Sequence, residues 1–139
     1  MVRIGFRTEE WAYKPTKGHY KDAGVDLRTP KDVTVPCGGN VVIDTGVMCD
    51  IPAGYYGKLE SKSGLNVKYD IVSCGGVIDA GYEGHIMVKL YNFSNGDYEF
   101  KAGDKIVQII FMPCAERFDG IEILDKNERG TDGFGSTGA

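Results

Sequence analysis

The chain has 139 residues, 42% of them hydrophobic, which is enough for one domain with a real core and no need of disulfide staples. Sixteen Lys and Arg against twenty Asp and Glu leave a net charge of −4. That balance excludes a global positive field for nucleic acid or anionic membrane, so any phosphate recognition must be local. No apolar run reaches membrane-span length and MVRIGFRTEEW lacks a signal-peptide core, so a soluble, intracellular chain is expected. The expected place is the cytoplasm or, for a viral chain, the host cytoplasm or nucleus. Cys37, Cys49, Cys74 and Cys114 lie far apart with only two His to help, which argues against zinc. All four are expected to be small buried or semi-buried thiols.

In chain order the sequence reads as short strands between turns. Met1 to Phe6 is a candidate opening strand, and YKPTKGHYKDAG is turn-rich and aperiodic. Val25 and Leu27 then flank Asp26, so in an extended segment the carboxylate points away from the face those two bury. Residues 31–60 hold two or three strands, broken at Gly38-Gly39, Thr45-Gly46 and Pro52-Ala53-Gly54. In SKSGLNVKYD, Leu65 and Tyr69 are four apart, which predicts a loop or a single helical turn.

GVIDAGYEG, residues 76–84, carries Asp79 and Tyr82 on either side of Ala80-Gly81, and predicts a hairpin into the alternating run HIMVKLYNF. In that run Ile86, Val88 and Leu90 share one face, and Met87, Lys89 and Tyr91 the other. An acid on a rigid turn is a candidate general base. After a turn at Asn95-Gly96, KIVQIIFMP is apolar on both faces, with Gln108 on the side of Ile106, Ile110 and Met112. Such a run is buried on both faces, and in a small domain the second cover can be a partner subunit. RGTDGFGSTGA, residues 129–139, cannot form a packed element. It does offer a guanidinium (Arg129), an aromatic plate (Phe134), glycine amides and hydroxyls, which together can fold over a nucleotide.

Five of these patterns, in order, resemble the trimeric deoxyuridine triphosphatase (dUTPase) family: AGVDL at 23–27, SKSGL at 61–65, GVIDAGYEG at 76–84, GDKIVQ at 103–108 and RGTDGFGSTG at 129–138. Each pattern alone has an ordinary structural reading, such as a turn-capping Asp79, a strand-packing Tyr82, an interface amide at Gln108 or a surface charge at Asp26. The resemblance implies an all-β, distorted jelly-roll-like barrel with at most one short helix over residues 1–128. A flexible glycine-rich arm, 129–139, would close over the site.

It further implies a homotrimer with shared sites that hydrolyses dUTP to dUMP and pyrophosphate with Mg2+, limiting uracil in DNA and supplying dUMP. By the same resemblance Asp79 activates water at the α phosphorus and Tyr82 packs on deoxyribose. Gly76 and Ile78 belong to the main chain that meets uracil, and Asp26 orients hydrated magnesium through water. Lys62, Ser63, Gly64 and Gln108 face the phosphates. Arg129, Gly135, Ser136 and Thr137 close on them, while Phe134 covers the base. Departures from the family pattern are Lys62 in place of arginine, Glu60-Ser61, Gly81, Asp132 and a missing asparagine near Ser73.

Two other readings are carried. One is a dCTP deaminase-like enzyme, disfavoured because Lys89 stands where a proton-shuttling glutamate is expected. The other is a nucleotide-switched regulator that binds a protein partner. No role is assigned to His19, His85 or Trp11, because no acid or Cys cluster accompanies either histidine in the sequence.

Overall fold

The computed structural model describes residues 1–74 and 76–115. Its strands are β1 (Gly5–Thr8), β2 (Val25–Arg28), β3 (Val33–Val35), β4 (Asn40–Asp44), β5 (Val47–Asp50) and β6 (Tyr55–Glu60). After helix α1 (Ser63–Tyr69) come β7 (Ile71–Ser73), β8 (Val77–Ile78), β9 (Met87–Asn92), β10 (Tyr98–Phe100) and β11 (Lys105–Pro113). The sheets run β2-β11-β6-β8, β4-β9-β7, β1-β5 and β3-β10, and their pairings are antiparallel. They wrap one apolar core in jelly-roll fashion, without closing into a barrel among the described residues. The all-β expectation with one short helix therefore holds.

The core follows from alternation. Ile86, Val88 and Leu90 are buried while Met87 and Lys89 are exposed, as period two requires. Each such side chain contributes roughly 1.5–3 kcal/mol by leaving water. In β11 a register shift between Lys105 and Val107 lets neighbouring Ile106 and Val107 both turn inward. β11 crosses β6 closely because Gly57 has no side chain; a Cβ there would meet Ile109 Cδ1 at 2.8 Å. At the end of β9, buried Asn92 satisfies its amide on Val35 O, Gly96 O and Ser94, which fixes the turn toward β10.

Several expectations change. The opening strand is Gly5–Thr8 rather than 1–6, paired with β5. The helix has seven residues, longer than a single turn. Its Leu65 packs against the core and the Tyr69 ring meets that of Tyr98 at a tilt, 5.2 Å between centroids. Cys37, Cys74 and Cys114 are exposed; only Cys49 is buried, where desolvation pushes its thiol up to about 12. On β11, Ile110 and Phe111 are half-buried and Met112 is exposed, so the described residues do not cover both faces.

The predicted hairpin also does not form. β8 pairs with β6, whereas β9 pairs with β4 and β7. The turn explains why: Tyr82 N–H donates to Asp79 O at 3.2 Å, and of the two central residues only Gly81 has positive φ, +83°. That is the demand of a type II turn, whose twist splays the flanking strands, unlike the primed turns of tight hairpins. Residues 76–93 therefore cross from one sheet to another. The boundary expected between 1–128 and 129–139 lies outside the described residues.

Candidate active site

One group of expected residues gathers at β2, β11 and the β6–α1 junction. Asp26 pairs in register with Gln108, which pairs with Glu60 on the other side. Asp26 is not a surface charge: it is 5% exposed. Its Oδ1 accepts from Lys62 Nζ at 2.5 Å and its Oδ2 lies 3.4 Å from Lys105 Nζ. Such a carboxylate is tolerable in the interior because cations meet both oxygens. Gln108 donates to Ser61 O at 3.1 Å. It also lies so close to Gly24 that a Cβ there would fall 2.9 Å from Gln108 Cβ and Cδ. The glycine of AGVDL is thus needed by the glutamine of GDKIVQ.

Ser61, which departs from the family pattern, donates from Oγ to Ser73 O at 3.1 Å and accepts from Ser73 N–H at 2.8 Å. Ser63 and Gly64 are exposed in the first turn of α1, beyond extended Lys62. Lys62, Lys68 and Lys105 line one side of a shallow groove of about 280 Å³ against that turn. It is the kind of local positive field that an acidic chain needs in order to hold phosphate.

The second group is the Asp79 turn. Gly76, Ile78, Asp79, Tyr82, His85 and Met87 line another pocket of about 280 Å³. Gly76 has φ +99°, and a Cβ there would meet Leu59 Cδ1 at 2.8 Å, while Leu59 N–H donates to its carbonyl at 2.9 Å. The entrance to the turn therefore accepts only glycine. Tyr82 donates its hydroxyl to His85 O at 2.9 Å, with the ring lying over Gly84, where a Cβ would sit 2.7 Å from Cζ. Asp79 is exposed and, among the described residues, enters no ion pair.

A third feature escaped the sequence. His85 Nδ1 lies 3.0 and 3.1 Å from the two Asp44 oxygens, and Nε2 lies 3.1 Å from Glu9 Oε1. The hydrogen bonds to Asp44 and then Glu9 raise the imidazole pKa above its ordinary value. For Asp44, burial pushes upward, but the bonds from His85 and from Gly46 N–H outweigh it and hold the carboxyl below its ordinary value. Sequence spacing could not reveal this cluster, since Glu9 and Asp44 are distant in the chain. Lys105 was also missed, although its place on the strand beside Asp26 is a usable signal.

Asp26, Lys62 and Gln108 thus come together, as do Gly76, Ile78, Asp79 and Tyr82, but the two groups do not share a pocket. Asp26 lies on one edge strand of a sheet, β2, and Asp79 just past the other, β8, three strand spacings apart, about 14 Å. Arg129, Phe134, Gly135, Ser136 and Thr137 lie outside the described residues.

Among the described residues no group of three or more His, Cys, Asp or Glu can cage a metal. Asp26 alone, its oxygens shared with two ammonium groups, cannot strip a divalent ion of water. As a single hard oxygen donor it would suit a hydrated magnesium ion held through water.

The dUTPase family pattern matches residues 11–138. The deoxyuridine 5′-triphosphate nucleotidohydrolase of Candida albicans is 41% identical over 127 residues, covering 89% of this chain and 80% of that one. The dUTPase of Staphylococcus bacteriophage 80alpha, solved with dUPNHPP, superposes with a TM-score of 0.76 at 27% identity over the whole of both chains. The dUTPase of S. aureus phage phi11, an Asp-to-Asn variant described for its coordination of a structural Mg(II) ion, gives 0.78 at 27% identity, covering 90% of this chain and 99% of that one. With a family match across most of its length and curated relatives near 40% identity, the chain belongs to the dUTPase family.

Proposed function

We infer that the chain is a dUTP nucleotidohydrolase that releases dUMP and pyrophosphate. The observation that carries this reading is the exposed Asp79 carboxylate at the rim of a pocket built from turn main chain and Tyr82. Asp79 takes a proton from water as that water attacks the α phosphorus. The new P–O bond forms while the bond to the bridging oxygen breaks, and pyrophosphate leaves with those electrons. A base placed this way accounts for roughly 10² to 10⁴ of the rate. The main chain of Gly76 and Ile78 faces the uracil edge, and Tyr82 leaves no room for a 2′-hydroxyl.

The phosphates go to the other group. Ser63 and Gly64 offer hydroxyl and main-chain N–H, Gln108 its amide and Lys62 its charge, once Lys62 leaves Asp26. Hydrated magnesium, when bound, neutralises triphosphate charge, and Asp26 holds it by accepting from its water. Because one chain keeps Asp26 and Asp79 on opposite edge strands of a sheet, we assign the site to a homotrimer in which they come from different subunits. Residues 129–139 close over it, with Arg129, Gly135, Ser136 and Thr137 on phosphate and Phe134 on the base. The reaction limits uracil in DNA and supplies dUMP, and its proposed place is the cytoplasm or, for a viral chain, the host cytoplasm or nucleus.

Deamination finds no support at Lys89, which stands outward on β9 with its Nζ 5.3 Å from the Tyr91 ring centre. Pyrophosphate release measured across dUTP, dTTP, dCTP and UTP tests the function. Release from dUTP alone is expected; ammonia from dCTP would contradict it.

A further inference from the structure

Resting on that reading of the Asp79 pocket, we propose that His85 is a positioning residue for its nucleoside end. Clamped between Glu9 and Asp44, it fixes the carbonyl that holds the Tyr82 hydroxyl.

The clamp joins three parts of the chain. Glu9 follows β1, and its N–H donates to Gly46 O at 2.9 Å, so the segment leaving β1 is docked on the β4–β5 turn. Asp44 ends β4, where its Oδ1 also accepts from Gly46 N–H at 2.9 Å. His85 lies just before β9 and brings its ring to both acids. The next residue is tied down independently. Ile86 N–H donates to Val47 O at 2.8 Å, and Ile86 O accepts from Thr45 Oγ1 at 2.7 Å.

The His85 carbonyl, which accepts from Tyr82 at 2.9 Å, is therefore held at the residue itself by the ring clamp and from its neighbour by the ladder. Tyr82 in turn forms a wall of the pocket that Asp79 borders.

The clamp is charge-assisted, so it follows pH. The groups facing the ring are Glu9 and Asp44, with Trp11 edge-on at 5.8 Å, and Lys31 acts on Asp44 from outside. Asp79 and Tyr82 face the same pocket. A histidine whose folded pKa is raised contributes its full stabilisation below the unfolded value and loses it as pH rises through the folded value. Asp44, lowered, keeps its contribution until pH falls through its own folded value. The wall is thus firmest between those two points. On the alkaline side the imidazole is neutral and can donate from only one nitrogen, so one acid is released.

The test measures KM and kcat for dUTP from about pH 6 to about pH 9 in the wild-type protein, His85→Gln and Glu9→Gln, alongside an NMR titration of the histidine ring protons. The His85 midpoint is expected above the ordinary value of about 6.5 and lower in Glu9→Gln. Wild-type KM should rise about three- to tenfold through that midpoint, the size of one lost hydrogen bond, with kcat nearly constant. His85→Gln should show the raised KM at every pH and a better relative rate with UTP. A His85→Gln profile identical to the wild type in KM and in UTP discrimination overturns the proposal, as does a His85 midpoint at or below the ordinary value. Absence of dUTP hydrolysis in the wild-type protein would instead defeat the proposed function, while the NMR midpoints still report on the clamp.

Discussion

The Asp26 group and the Asp79 turn hold the two carboxylates on which the proposed reaction depends, and they treat them in opposite ways. Asp26 is buried with both oxygens on lysines, locked among β2, β11 and the start of α1 by the fit of Gln108 against Gly24. Asp79 stands exposed on a turn whose geometry comes from main chain and glycine. The contrast teaches a division of labour. Charge that must meet a triphosphate can be stored in ion pairs and exchanged, whereas a base must be left without a partner that would hold its proton site occupied.

The sharpest way to break the contrast is at Asp79. Asp79→Asn keeps size and turn geometry but cannot accept the proton, so kcat should fall by roughly 10² or more with dUTP binding retained, read by single-turnover assay and calorimetry. Full turnover would move the base elsewhere. Removing 129–139 should lower turnover about tenfold or more through lost positioning, while the melting temperature stays put in a thermal scan. At the Asp26 end, Gly24→Ala should drive a methyl into Gln108 and cost about 1–3 kcal/mol in urea unfolding. Smaller still, Ser61→Ala removes the two bonds with Ser73 and should cost about 1 kcal/mol in the same measurement.

Much of this was legible in the sequence, because short motifs record local demands. Gly81 after Ala80 marks a turn, the run after Gly84 alternates as a strand must, and the five patterns stand in family order. What could not be read depends on contacts between distant segments. Whether a turn closes a hairpin depends on the sign of φ at Ala80, which Ala-Gly leaves open, and the splayed outcome sends β8 and β9 to different sheets. Asp26 looks exposed when judged by its neighbours in sequence. Only the ladder that sets it beside β11, and brings Lys62 and Lys105 over it, makes it buried. The same reason hides Glu9 and Asp44 from His85.

The central claim, that an active site needs the Asp26 group of one subunit and the Asp79 turn of another, is tested most directly by mixing two impaired chains. Asp79→Asn subunits are co-expressed in equal amount with subunits carrying Lys62→Met and Gln108→Ala, and dUTP hydrolysis is measured on the whole randomly assembled population. Shared sites predict recovery to roughly a quarter of the wild-type rate, the chance that a site draws an intact half from each kind of chain. A mixture no more active than the average of its two parents would place both halves in one subunit and contradict the account.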